Sequence, residues 1–520
     1  MTSTKTPEPS AVRKRAMGSP PAQNDSEKTS STALTPEQRK KIMRTVFFAL
    51  LVDIFSFTII LPLFPRLLEY YKQNEASDPT SLFSWTLRQL DAFKALLGIR
   101  GTRLDVVLFG GALGSLFSLL QFAVSPHIGR LSDKLGRKRV LMLCMAGNLA
   151  SCFLWIIAKP FWVFVASRVV GGLSEGNVQL SVAMISDVTT PETRSRGLAL
   201  VGIAFALGFT FGPAVGAALA SHDLTGHSAF LDSLGLNPYS ASALLAFLLI
   251  LAEIVYLHRS MPETLVRRIV PAAKPNTTTT ITAAVPNTQT SSTRLGTLSS
   301  LHFAYLFLFS GLEFTLPFYT YDMFAYTNAQ QGALLGFIGL VASAVQGGYT
   351  RRRGHAIGEE KIVVQGVTTC AVAFALIAAN SGSGSAVTST ATAAGWSLWA
   401  AATLLAFTSA TVVTCLMTLA SLECRRSSDA RAAAANAPIG DSEHEDGSGD
   451  DEGSAMGSFR AWGQLGRAIG PLVTCSAYWI VGARTTYAVG SVALFAVSLW
   501  VHRVGKGIAR DRKAALGKKQ

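Results

Sequence analysis

The sequence predicts an all-α membrane protein, with twelve transmembrane helices arranged as two pseudo-symmetric bundles of six. Three observations predict it. Apolar residues make up 49% of the 520 and gather in twelve blocks of about 18–24 residues, the length an α-helix needs to cross ~30 Å of hydrocarbon at 1.5 Å per residue. Basic residues crowd into alternate loops, as the positive-inside bias requires. Two blocks at matching places in the two halves carry the same glycine-rich Gly-Pro step, which is the mark of an internal duplication.

The blocks fall at 43–64, 104–125, 140–158, 161–184, 197–220 and 239–258, then at 300–320, 331–350, 362–380, 396–420, 457–480 and 485–502. They divide the chain into a polar tail (1–41), a first half (42–258), a Thr, Ser and Pro-rich linker (259–298), a second half (299–502) and a basic tail (503–520). The second half contains an acidic insert at 427–455, read as a solvated loop. The tail is too polar to fold until Thr35 and Pro36, an N-cap followed by proline at the first helical position, start the first helix. Ser81 to Gly98 has apolar residues at helical spacing, suited to lying on the membrane surface or capping the pore.

A net charge of +14 in a soluble chain would raise the question of nucleic acid. Here the charge reports topology. The amino tail holds Arg13, Lys14, Arg15, Arg39, Lys40, Lys41 and Arg44; loop 130–139 holds five basic residues; Arg194 with Arg196, and Arg351 to Arg353 with Lys361, mark two more loops. The intervening loops 221–238, 321–330 and 381–395 hold none. Both tails are therefore expected in the cytosol. The loop after the first block, with Arg66, Lys72, Arg88, Lys94, Arg100 and Arg103, is the exception, and its length weakens its vote.

Six cysteines lie in or near apolar blocks with no C-x-x-C pair and no metal-ligand spacing, so they read as packing residues. The sequons at Asn24 and Asn276 fall on the cytosolic side, and no cleavable signal is visible at the amino terminus. With no phosphate-binding loop, metal cluster or paired nucleophile and base, the chain is expected to be no enzyme and to need no cofactor. Its expected partners are the bilayer, a small organic substrate and protons, with no nucleic acid, and it is expected to be monomeric.

Gly129 to Arg139 reads GRLSDKLGRKR. Asp133 sits among five basic residues, and the two glycines permit turns that side chains would obstruct. The segment resembles the signature loop between the second and third helices of the major facilitator superfamily of secondary transporters, G-x-L-x-D-[RK]-x-G-R-[RK]-[RK], at every specified position. The resemblance makes Gly129, Asp133, Gly136, Arg137 and Lys138, with Arg194 in the next basic loop, a cytosolic gate. The second-half counterpart, Gly347 to Gly354, keeps the basic residues and has lost the Asp.

In the fifth block GIAFALGFTFGPAVGA resembles that superfamily's antiporter motif through Gly208, Gly212, Pro213 and Gly216, and the eleventh block repeats it as GQLGRAIGPLV. Small residues let helices approach, and the proline removes one helical hydrogen bond. In the fourth block Arg168, Glu175 and Gln179 fall at i, i+7 and i+11, on one face of a continuous helix, with Asn177 beside them. Charges inside a bilayer must face water or each other. Arg168 matches the superfamily's buried fourth-helix arginine, which the resemblance links with proton coupling; a structural pairing with a carboxylate is the alternative. Asp53, Glu313 and Arg467 join the candidate substrate and proton pathway, although Asp53 could equally pair with Arg168 inside the first half. Glu253 reads as interfacial.

Four phrases, LVDIFSFTIILPLFP, RVVGGLSEGNVQLSVAMISD, ALVGIAFALGFTFGPAVGA and YLFLFSGLEFTLPF, the last followed by QQGALLGFIGLVASAVQGGY, narrow the resemblance to the tetracycline-transporter-like (TETRAN) proteins of animals and their fungal relatives. It covers most of residues 43–502. In animal members a lysine stands at the position of Glu175, which weighs against a proton role there. The resemblance implies alternating access between two rocking halves and proton-coupled antiport that exports or sequesters amphipathic organic anions or drugs, at the plasma membrane or a vacuolar or other endomembrane. A uniporter or symporter for an endogenous metabolite, or a non-transporting sensor or scaffold, are the alternatives.

Overall fold

The computed structural model describes residues 2, 35–60, 63–96, 103–219, 224, 236–265, 288–381, 390–435 and 451–517. Both sequons, most of the amino tail and the middles of the linker and of the acidic insert lie outside them. Sixteen α-helices run through the described residues: α1 Pro36–Ile60, α2 Phe64–Glu75, α3 Leu82–Leu96, α4 Arg103–Leu135, α5 Arg137–Ile156, α6 Phe161–Ser174, α7 Asn177–Val188, α8 Pro191–Leu219, α9 Ser240–Ser260, α10 Thr288–Phe324, α11 Asn328–Val345, α12 Arg351–Ile357, α13 Glu359–Asn380, α14 Thr390–Ala435, α15 Asp451–Val481 and α16 Ala483–Gly517. A π-helical turn, Gln346–Thr350, joins α11 to α12. No strand occurs among the described residues.

Within the described residues each predicted block falls on helix. Among the described residues ten helices are long and apolar enough to cross a membrane. The two blocks that fall short are instructive. The fourth is interrupted at Glu175 and Gly176, leaving pieces of 14 and 12 residues, and the eleventh, α15, carries Arg460, Gln464 and Arg467 within it.

Local chemistry sets the helix ends. Thr35 and Gln38 form a reciprocal cap: the Thr35 hydroxyl accepts from the Gln38 amide at 3.2 Å and the Gln38 side chain accepts from the Thr35 amide at 2.9 Å. Gly136 (φ +100°) turns α4 into α5, and Gly358 (φ +96°) turns α12 into α13, a backbone region that side chains disfavour. The second reversal thus lies beyond the Gly347 to Gly354 stretch that the sequence singles out.

The halves, α1–α9 and α10–α16, have matching internal seams. The glycine stripe of α8 packs on α1, where methyls at Gly212 and Gly216 would run into Thr58 and the Ile59 carbonyl. The stripe of α15 packs on α10, with Gly466 and Gly470 against the carbonyls of Phe303 and Phe307. Between halves, α4 meets α15, and α8 meets α11 and α14. At the end opposite the Gly129–Arg139 loop, the α2–α3 hairpin belongs to the first half: Tyr71 Oη donates to the Ala158 carbonyl at 2.6 Å, the Phe161 amide donates to Glu75 at 2.7 Å, and Phe83 packs on Phe109 and Phe161.

Candidate functional site

The charged loop forms a clasp between the halves. Asp133 is 3% exposed. Its Oδ1 accepts from Arg137 Nη1 at 2.6 Å and from the Gly453 amide at 3.0 Å, and its Oδ2 accepts from the Ser454 amide at 2.9 Å. These amides lie in the first turn of α15, whose free N–H groups and dipole favour an anion. Arg137, equally buried, also donates to Ser132 Oγ at 2.6 Å and to Asp187 at 3.4 Å. Glu263, five residues past the sixth block, accepts from the amides of Arg137 and Lys138 at 2.8 and 3.2 Å and so caps α5; Lys138 Nζ reaches the His258 carbonyl at 3.0 Å. A methyl on Gly129 would run into the Gly453 carbonyl, so two glycines let α4 and α15 touch here.

A second closure lies beside it. Arg194, fully buried, donates Nη1 to the Ser421 carbonyl on α14 and Nη2 to the Ser186 carbonyl, each at 2.9 Å. Arg425 of α14 reaches back to the Thr189 carbonyl at 3.3 Å. The two halves are therefore locked together at the clasp end.

Deeper in the first half lies a polar core. Asp53, 6% exposed, accepts from Asn177 Nδ2 at 2.9 Å; Glu175 accepts from Asn148 Nδ2 at 3.3 Å. The guanidinium of Arg168 lies 4.5 Å from the Trp155 ring and 5.8 Å from each of Phe117 and Phe164, contacts worth about 2 kcal/mol when desolvated. Asp53, Asn148, Arg168 and Glu175 line one cavity of about 40 Å³, room for about three waters at ~10–15 Å³ each.

Several expectations change here. Asp53 pairs with Asn177 and not with Arg168; among the described residues no ion pair reaches Arg168, which the aromatic rings hold instead. Arg168, Glu175 and Gln179 do not share a helical face, because the helix breaks at Glu175 and Gly176, where Cys144 and Ile128 leave no room for a side chain on the glycine. Gln179 turns away and donates to the Ser125 carbonyl of α4 at 3.0 Å. Glu253 is buried, at 4% exposure. Glu313 and Arg467, one on α10 and one on α15, are both exposed and near enough for their charges to interact. Charges at that depth do not face lipid; they face the bundle interior or water.

The Major Facilitator Superfamily profile matches residues 46–441. Major facilitator superfamily domain-containing protein 10 of Bos taurus is 35% identical over 507 residues, covering 92% of this chain and 95% of the relative. The chain belongs to the Major Facilitator Superfamily. Its fold agrees with that of the human organic anion transporter MFSD10 (TETRAN) in its crystal structure, with a TM-score of 0.69 and 31% identity over 90% of this chain and all of that one. The class C tetracycline resistance protein of Escherichia coli is 32% identical over 127 residues, 24% of this chain and 32% of the relative. Members of this superfamily are membrane transporters and not enzymes.

Within the superfamily fold, sequence reasoning missed Arg460, Asn148, Glu263 and Arg425. Arg460 is the most important: it reaches across from the second half, close enough to act on Asp53 and Glu175. A signal existed, since it stands seven residues before Arg467, on the same face of the eleventh block.

Proposed function

We propose that the chain is a proton-coupled antiporter that exports or sequesters amphipathic organic anions or drugs by alternating access, as a monomer with both tails in the cytosol, at the plasma membrane or a vacuolar or other endomembrane. The feature that carries this reading is the opposition of charge between the halves: Arg460 of the second half lies near enough to act on Asp53 and Glu175 of the first, with Arg467 and Glu313 further along.

The halves divide the work. The first-half cavity takes a few waters and lies far below the ~300–1,000 Å³ of a site for a drug-sized ligand, so it suits protons. An organic anion is attracted to Arg460 and Arg467. Protonation of Asp53 or Glu175 releases Arg460 from its carboxylate neighbours and leaves it for the substrate, so that proton and anion occupancy are linked through one guanidinium. The clasp closes one side meanwhile, and the Gly208–Gly216 seam keeps the first half rigid as it rocks. The names of the human and bacterial relatives support the substrate class.

Purified protein in proteoliposomes tests the reading. An imposed pH gradient should drive uptake of a fluorescent organic anion against its concentration, and that uptake should collapse with a protonophore. Flux that ignores the gradient would make the protein a uniporter, cotransport with protons a symporter, and no flux at all a sensor or scaffold.

A further inference from the structure

Glu253 takes no part in the pathway described so far. On α9, Ala243, Ala246, Ile250, Glu253 and Leu257 recur at three- and four-residue intervals and are all buried, while Leu248, Leu251 and Val255 are exposed. That spacing puts Glu253 on the stripe that packs against α1 and α5. Its Oε2 has no hydrogen-bond partner, and among the described residues no ion pair reaches it. Ile250, one turn away on the stripe, lines the cavity with Asp53, Arg168 and Glu175.

The surroundings supply no compensating charge. From α1 comes Asp53, from the break between α6 and α7 comes Glu175, and both act on Glu253. Beyond its basic first turn, Arg137 to Arg139, the ionisable side chains of α5 are the buried thiols of Cys144 and Cys152, and the apolar stretch of α8 that follows Arg196 has no ionisable side chain. Arg168 is held among three rings, and Arg460 lies toward Glu175. An unpaired carboxylate in such a place is strongly disfavoured, and two like charges add to the penalty.

We propose that Glu253 is a second proton-holding site of the first half, a carboxyl that keeps its proton while Asp53 and Glu175 are ionised and exchanges it with them through the waters of the cavity. In the exchange the O–H bond of Glu253 breaks, one forms on water and then on Asp53 or Glu175, and no electrons change hands. The bound proton follows from the geometry by itself; its use in transport rests on the antiport reading.

Infrared difference spectroscopy on the purified full-length protein tests the first part without any substrate. The parent should show the carbonyl-stretch band of a protonated carboxylic acid at neutral pH, sensitive to deuterium. Glu253→Gln should lose it, Glu253→Asp should keep it at a shifted frequency, and Asp53→Asn should change the pH at which it disappears. An unchanged band in Glu253→Gln overturns the proposal. For the second part, Glu253→Gln should lose pH-gradient-driven uptake of a fluorescent organic anion while anion-for-anion counterflow continues; retention of both, or equal loss of both, removes Glu253 from the relay. A parent with no gradient-driven uptake would sink the antiport reading and leave the spectroscopic result standing.

Discussion

At the residue scale, Asp133 carries the clasp because both of its oxygens are committed: one half supplies Arg137, the other two main-chain amides. Removing one partner from a buried charged contact costs about 3–5 kcal/mol. Asp133→Asn should therefore abolish transport while surface expression stays at the parental level, which flux and labelling assays will show; parental flux would refute the gate. Arg168→Ala should impair transport most among the core variants, and Arg168→Lys should restore little, because a compact ammonium cannot spread over three rings as a planar guanidinium does. Asp53→Asn and Glu313→Gln should each shift the pH profile of transport if they carry the coupled proton. Profiles unchanged in both would move that role to Glu175. These residues were legible in the sequence because an ionisable group inside an apolar block has few explanations. Their partners were not: the contact between Arg137 and Glu263 spans 126 positions, and no local pattern encodes it.

At the scale of the element, the crossings were legible from length and apolarity, since a bilayer imposes both. The glycine stripe of α8 was legible for the same kind of reason: close backbone approach admits few residue types. Gly212→Leu should cost about 1–3 kcal/mol or more by overpacking, lowering the melting temperature in detergent and losing coupled flux; normal exchange at parental stability would mean that the α1–α8 seam tolerates bulk. The break in the fourth crossing was not legible. Glu175 and Gly176 look like one more turn of an apolar helix, and what distinguishes the place is tertiary: Cys144 of α5 and Ile128 of α4 pack so close that no side chain fits on Gly176. That break lets Asn177, first residue of α7, reach Asp53. A tertiary cause of this kind leaves no mark on periodicity.

At the scale of the whole molecule, the halves are joined at one end by Asp133 and by the reciprocal reach of Arg194 and Arg425. Spin labels placed on the loop ends of each half should report a short distance in the parent. Arg194→Ala with Arg425→Ala should lengthen it by more than the two single changes together, since each arginine alone still holds the seam; additive effects would mean that the two locks are independent. These closures have a further property in common: a side chain on one side grips main chain on the other. Peptide groups are the same whatever residue bears them. The receiving positions Ser454, Ser421 and Thr189 are thus free to drift over generations without loosening the gate, while a damaged donor has no complementary allele waiting across the interface. Revertants selected from Asp133→Asn should restore the original codon or retune the balance between open and closed forms elsewhere, and a compensating change at Ser454 should never be recovered.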